Sequence, residues 1–232
     1  MRKNILVINP FGIGDVLFST PLVFAIKKAY SESYIAYICN LKVKDILTTN
    51  PDINEVFVFE RDEYKNFWKE SKIAAIKKFL GFWGEIKKGQ FDIVFDLSLG
   101  KEYAFLCWWS GIKDRRGFNY KGRGRFLNHK VPFDGFNDKP IAEYYLDLLS
   151  VHRTEQPYRS ANGNTVLVTT DEDKRYVNNF LNQFGVKNSD ILIGIAPGGG
   201  MNFGQKNQDR RRRGVKKFAE LADKINAKIV LI

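Results

Sequence analysis

Apolar residues gather in short continuous runs separated by amphipathic stretches. Asn4-Ile5-Leu6-Val7-Ile8, ended by Asn9-Pro10, has the length and continuity of a strand buried on both faces. A turn at Gly12-Ile13-Gly14 follows. Thr20-Pro21 then reads as an N-cap with proline at the first helical position, which predicts a helix over Leu22 to Tyr30. Tyr34 to Cys39, Val56 to Phe59 and Asp92 to Leu97 are three further strand-like runs. Strands alternating with helical stretches predict an α/β fold with a parallel, doubly wound sheet.

Gln156 to Asn164 is polar, holds Pro157 and Gly163, and marks a boundary. It divides the chain into residues 1–160 and residues 161–232. In the second part, Asp171-Glu172-Asp173 precedes a helix that reaches Phe184 and is stopped by Gly185. Ile191 to Ala196 is a buried strand, and Pro197-Gly198-Gly199-Gly200 opens a long loop. Val215 to Asn226 is a helix and Lys228 to Ile232 a strand. A second Rossmann-like unit thus begins, and the sequence stops within its second strand.

Composition narrows the class. With 232 residues, 44% hydrophobic and 27% charged, the chain is globular rather than disordered. No run approaches the ~18 apolar residues of a membrane span, and the N-terminal apolar run is too short for a secretory signal. Cys39 and Cys107 are too few for a disulfide framework and lack metal-spaced neighbours, so a reduced, cytoplasmic protein is expected. The net charge of +11, from 37 basic and 26 acidic residues, favours anionic partners: nucleic acid, lipid headgroups or a phosphorylated substrate.

The first glycine turn invites comparison with a dinucleotide fingerprint and fails it. Leu17 stands where the third glycine is needed, and Cys39-Asn40 end the second strand where an acid is needed. Asp15 also sits where a pyrophosphate would dock. A carboxylate at that place suits a helix N-terminus, and in the ligand crevice of an open sheet it suits a general base. Position alone favours the first role.

Longer stretches resemble a family. Gly14-Asp15-Val16-Leu17-Phe18-Ser19-Thr20-Pro21-Leu22 and Ala25-Ile26-Lys27-Lys28-Ala29-Tyr30 are similar to the N-terminal signature of the ADP-heptose:lipopolysaccharide heptosyltransferases, glycosyltransferase family 9. Phe91 to Leu97, Arg115-Arg116-Gly117-Phe118, Glu143 to Leu149, Ile193 to Gly198 and Phe218 to Ala222 resemble later family segments in the same order. The resemblance implies a GT-B fold: an N-terminal Rossmann-like domain for the acceptor, then a second one for the nucleotide-sugar, here only begun. It implies inverting transfer of a heptose or related sugar from a nucleotide diphosphate, ADP-heptose above all. The acceptor would be anionic and lipopolysaccharide-like, and no metal or resident cofactor would be needed.

Carried over residue by residue, Asp15 matches the proposed catalytic base, and Gly14 and Arg116 fall to the acceptor. Gly198, Gly199 and Gly200 let backbone N–H groups approach a phosphate, and Arg211 takes the diphosphate-binding basic position. Arg213 and Gly214 stand where the family carries Trp-Pro. The family's donor-sugar motif would follow the last strand, so these 232 residues alone are expected to transfer little.

Other features keep two readings each. Residues 64–88 mix seven lysines with Phe67, Trp68, Phe79 and Trp83 at near-helical spacing. That suits a surface helix with its stripe in the core, or an interfacial helix at the inner face of the cytoplasmic membrane. Lys113, Arg115, Arg116, Lys121, Arg123 and Arg125 interleave with Phe118, Tyr120 and Phe126, which suits a nucleic-acid groove or an anionic sugar; the resemblance favours the sugar. Asp171 to Asp173 read as helix-cap acids rather than metal ligands. Asp96 ends its strand at the crevice, as ligand contact or as turn residue. His129 and His152 are isolated. A non-catalytic glycolipid-binding module and, last, a nucleic-acid-binding protein are the alternatives to the enzyme.

Overall fold

The computed structural model describes residues 2–60, 69–150, 165–187, 189–196 and 215–231. The chain forms two compact units, residues 1–168 and 169–232.

The first unit is built on one six-stranded parallel sheet. Its strands are β1 (Asn4–Ile8), β2 (Tyr34–Cys39), β3 (Glu55–Val58), β4 (Ile93–Asp96), β5 (Asp114–Tyr120) and β6 (His129–Phe133), in the order β3-β2-β1-β4-β5-β6. The helices are α1 (Ile13–Ala29), α2 (Lys44–Thr48), α3 (Lys72–Lys88), α4 (Glu102–Trp109) and α5 (Ile141–Ser150). Strand alternation divides the core. Ile5 and Val7 of β1 and Phe95 of β4 pack with α1 and α5, while Leu6, Ile8 and Val94 pack with Trp83 and Ile86 of α3 and Cys107 of α4. This is the doubly wound sheet that the pattern of runs predicts.

Two details differ from the pattern. The first helix starts at Ile13, so Pro21 lies inside it and Thr20 is no N-cap. Pro21 lacks the N–H that would bond the Leu17 carbonyl. The Thr20 hydroxyl donates to that carbonyl instead (2.8 Å) and accepts from the Val166 N–H (2.7 Å). The side chain before the proline thus supplies the missing bond, and the helix continues.

Strands β5 and β6 escape the pattern altogether. Asp-Arg-Arg-Gly-Phe-Asn-Tyr contains no apolar run. The β4 ladder holds it, and the Asn128 side chain accepts from the Arg115 N–H (2.7 Å). At Gly117 a Cβ would lie 2.8 Å from the Asp96 carbonyl and 2.9 Å from Leu127, so only glycine lets these strands close up. Pro132 is tolerated in β6 because that strand is the sheet edge.

The second unit holds α6 (Asp171–Gln183), β7 (Leu192–Ile195), α7 (Val215–Ala222) and β8 (Lys228–Leu231), with β7 and β8 paired in parallel. Thr170 and Asp173 form a full capping box at the start of α6, the role expected of that acidic cluster. Gly185 ends the helix in the left-handed region, φ +66°.

Candidate functional site

In an open α/β sheet, ligands gather beyond the C-terminal strand ends where the winding direction reverses. Here that place is the β1/β4 boundary, where Ile8 pairs with Asp96. The β1–α1 turn sits there, fastened from three sides. The buried Asn9 donates from Nδ2 to the Asp15 carbonyl (3.1 Å) and accepts at Oδ1 from the Phe11 N–H (3.2 Å). Its own N–H donates to Ile38 (3.0 Å). Asn40, at the end of β2, donates to the Phe11 carbonyl (2.5 Å). The residue that spoils a dinucleotide fingerprint at the end of β2 is thus the one that clamps the turn.

Asp15 is the third residue of α1. The backbone N–H of Gly12, the N-cap residue, favours the ionised form of the Asp15 carboxylate. The group is half-buried. Desolvation raises its pKa above the free value of 3.8, and the Gly12 hydrogen bond opposes that rise. A positioned carboxylate with a raised pKa is the usual form of a general base.

The floor beneath Asp15 is polar. Ser19, one helical turn further on, shares a 2.6 Å hydrogen bond with the Tyr37 hydroxyl. Tyr145 of α5 is fully buried, its hydroxyl has no hydrogen-bond partner among the described residues, and its phenol is pushed up by burial first and by the Asp15 charge second. Tyr145 is a residue that the sequence reading does not single out. Its only signal is a place within the Glu143 to Leu149 stretch, where it reads as packing.

Gly12 and Gly14 flank the turn, both exposed and neither at positive φ. A Cβ on either would meet nothing within 4 Å among the described residues. Neither backbone conformation nor packing asks for glycine there, so the bare backbone is free for a ligand to approach.

Asp96 is buried at the end of β4, on the α4 side of the sheet. It accepts from the Ser98 N–H (3.0 Å), the turn role. Burial pushes its pKa up to about 6, opposed by Ser98 and by the first-turn amide of Ala104. The native state therefore binds this proton more tightly than the unfolded chain. The stability it contributes is full below about pH 4 and is lost as pH rises through about 6. Asp96→Asn removes that loss. The stability difference from wild type is expected to move in the variant's favour by up to about 3 kcal/mol between about pH 4 and about pH 8. Urea unfolding across that range measures it, and parallel pH profiles for the two proteins would refute it.

Arg116, to which the family resemblance gives an acceptor role, is turned into the packed layer between the sheet and α1. Its side chain is 3% exposed, bonds Asp114 through Nη2 (2.7 Å) and Nε (3.0 Å), lies over the Phe95 ring and reaches the Tyr30 hydroxyl (3.4 Å). Tyr30 caps the far end of the helix that Asp15 begins, about 20 Å away at 1.5 Å per residue. Arg115 turns to the other face, where it bonds the Phe126 carbonyl (2.6 Å) and the Ile112 carbonyl. Strand alternation thus splits the basic stretch, which is no single groove. Gly198, Gly199, Gly200 and Arg211 lie outside the described residues, as do His152 and residues 64–68.

No family model and no curated protein matches the chain. Solved structures do. A glycosyl transferase family 9 protein from Veillonella parvula DSM 2008 shares 23% identity at TM-score 0.77, over 99% of this chain and 62% of its own. Escherichia coli ADP-heptose lps heptosyltransferase II shares 22% at TM-score 0.70, over 98% and 63%. E. coli heptosyltransferase WaaC with ADP-2-deoxy-2-fluoro heptose shares 15% at TM-score 0.66, over 100% and 68%. The fold is therefore the α/β, GT-B-like fold of these glycosyltransferases, and the chain spans about 62–63% of the length of the first two.

Proposed function

We propose that this chain is the acceptor-binding domain, and the opening of the donor domain, of an inverting glycosyltransferase of the heptosyltransferase type. The observation that carries the reading is Asp15. It is a half-buried carboxylate with a raised pKa, held at the switch point directly after two glycines, Gly12 and Gly14, that nothing in the fold requires. The likeness to glycosyltransferases, one of them solved with ADP-2-deoxy-2-fluoro heptose, supports an ADP-heptose-like donor.

In this mechanism an acceptor hydroxyl approaches the Gly12–Gly14 backbone. Asp15 takes its proton while the oxygen forms a bond to the anomeric carbon. The bond from that carbon to the diphosphate breaks on the opposite face, so the configuration inverts and the nucleoside diphosphate leaves with the electron pair. Cations and backbone amides stabilise the growing charge on the leaving group, and Gly198, Gly199, Gly200 and Arg211 are the groups assigned to that task. No metal or resident cofactor takes part. The acceptor is an anionic, lipid-linked saccharide met at the cytoplasmic face of the membrane, with residues 64–88 as one contact.

The natively expressed protein, given ADP-heptose and a deacylated lipopolysaccharide-type acceptor, is expected to release ADP and form a glycoside inverted at the anomeric carbon. ADP release without a new glycoside, or a product of retained configuration, would sink this reading. Gly14→Ala tests the acceptor approach. The fold should hold or gain up to about 1 kcal/mol, while KM for the acceptor rises roughly tenfold. An unchanged KM would remove Gly14 from the site.

A further inference from the structure

The sheet face opposite α1 carries α3 and α4, joined by a hydrogen bond from Trp83 Nε1 to Ser110 Oγ (2.6 Å). Each helix turns one set of side chains inward: Trp83 and Ile86 of α3, and Ala104 and Cys107 of α4, are buried. Each also turns apolar side chains outward. On α3 these are Ile73, Ile76 and Leu80, at helical spacing, with Ile73 81% exposed. On α4 they are Phe105, Trp108 and Trp109, the two tryptophans 51% and 59% exposed. Phe105, Trp108 and Phe126 of the turn after β5 form one cluster, with ring centroids 5.1–5.9 Å apart. The inward stripes already account for the core. The outward ones lie outside both buried clusters.

Charge distinguishes this face from a plain hydrophobic patch. Residues 101–130 hold seven basic residues besides Arg116, which is buried on the other face and paired with Asp114, and Glu102 is the other acid of that stretch. Lys101 and Lys113 are exposed at the two ends of α4, and Arg125 lies over the Phe126 ring (6.0 Å). Residues 69–88 add six lysines against two glutamates. Exposed tryptophans surrounded by cations match the interfacial region of an anionic bilayer, where the indole ring rests among headgroups and cations meet lipid phosphate. A single-stranded nucleic acid would need open ring faces along a groove, and here the rings stack on one another.

We propose that this face docks on an anionic lipid bilayer, with Trp108 and Trp109 as anchors and Lys101, Lys113 and Arg125 against the phosphates. The inference is independent of sugar transfer, since it requires neither donor nor acceptor. A lipid-linked acceptor would simply be met at the same surface.

The test is co-sedimentation of the protein with vesicles of phosphatidylglycerol and phosphatidylethanolamine in equal parts, against vesicles of phosphatidylcholine alone. The wild type is expected to sediment with the anionic vesicles, less so as salt rises, and to show a blue-shifted tryptophan emission that brominated acyl chains quench. The double variant Trp108→Ser, Trp109→Ser should lose partitioning by roughly tenfold or more. It should stay folded, with at most a small drop in thermal midpoint from the lost Trp108 contacts with Phe105 and Phe126. Its turnover of a water-soluble acceptor should be unchanged, so failure of docking and failure of transfer are seen separately. The proposal is overturned if the wild type ignores anionic vesicles or if the double variant binds them equally well. Tighter binding to an oligonucleotide, or a dimer that the double variant dissolves, overturns it too by identifying a different occupant.

Discussion

Asp15→Asn is expected to lower kcat for sugar transfer by about 10³-fold and leave the protein folded. The amide keeps the size of the carboxylate, and the bonds from Asn9 and Asn40 that hold the turn do not involve the Asp15 side chain. What the fold loses is the favourable placement of a negative charge at the start of α1, about 0.5 kcal/mol. Burial already disfavours that charge, which reduces the loss further. What the reaction loses is the only carboxylate at the β1–α1 turn able to accept a proton. KM values should therefore stay near wild type while kcat falls.

The pH profile gives the same result a signature. Only ionised Asp15 is a base, so kcat rises as pH rises through its pKa, and burial sets that limb above 3.8. The residual activity of Asp15→Asn should lack the limb. Unimpaired turnover by the variant, or an unchanged acid limb, would remove Asp15 from the mechanism.

The largest effect on stability is expected at the other end of the same layer. Asp114→Ala should cost about 3 kcal/mol or more, because it strands a buried guanidinium. Arg116 is held in two hydrogen bonds by Asp114 and is otherwise enclosed by Phe95 and Tyr30, so water cannot replace the lost partner. Asp114→Asn should cost less, keeping one acceptor. Arg116→Met should be milder still, since it removes the charge along with the need for its partner and fills similar volume. Urea midpoints across the three variants measure the order. An Asp114→Ala protein as stable as wild type would show the pair to be of little consequence. Transfer by the Arg116→Met protein should keep a normal acceptor KM, because the Arg116 side chain is buried against Asp114, Phe95 and Tyr30.

The parts of this protein legible in its sequence are those where one local force decides. Continuous apolar runs between turn residues fit strands buried on both sides, so β1, β2 and β4 are readable, and with them the parallel sheet; β7 is a strand as read but not a buried one, since Leu192 is exposed and of its four residues Ile195 alone is buried. Thr170 and Asp173 sit at cap spacing and form the cap. Asp15 was legible as a first-turn acid after a buried strand, which in an open sheet already puts it at the ligand end.

Tertiary structure decided what depends on neighbours distant in sequence. Pro21 reads as a helix start until Thr20 is seen to satisfy the Leu17 carbonyl. Strands β5 and β6 carry too little apolar pattern to declare themselves and exist because β4 offers a ladder and Gly117 lets it close. Arg115 and Arg116 are adjacent cations in sequence, yet alternation along a strand sends them to opposite faces, one into a buried pair. Tyr145 becomes part of the site only because α5 packs against α1. The sequence by itself determined most of the elements and the identity of the charged groups. Only the packed sheet determined which charges meet ligand, which meet each other, and which tryptophans remain in contact with solvent, because burial is a property of the assembled layers and not of any segment alone.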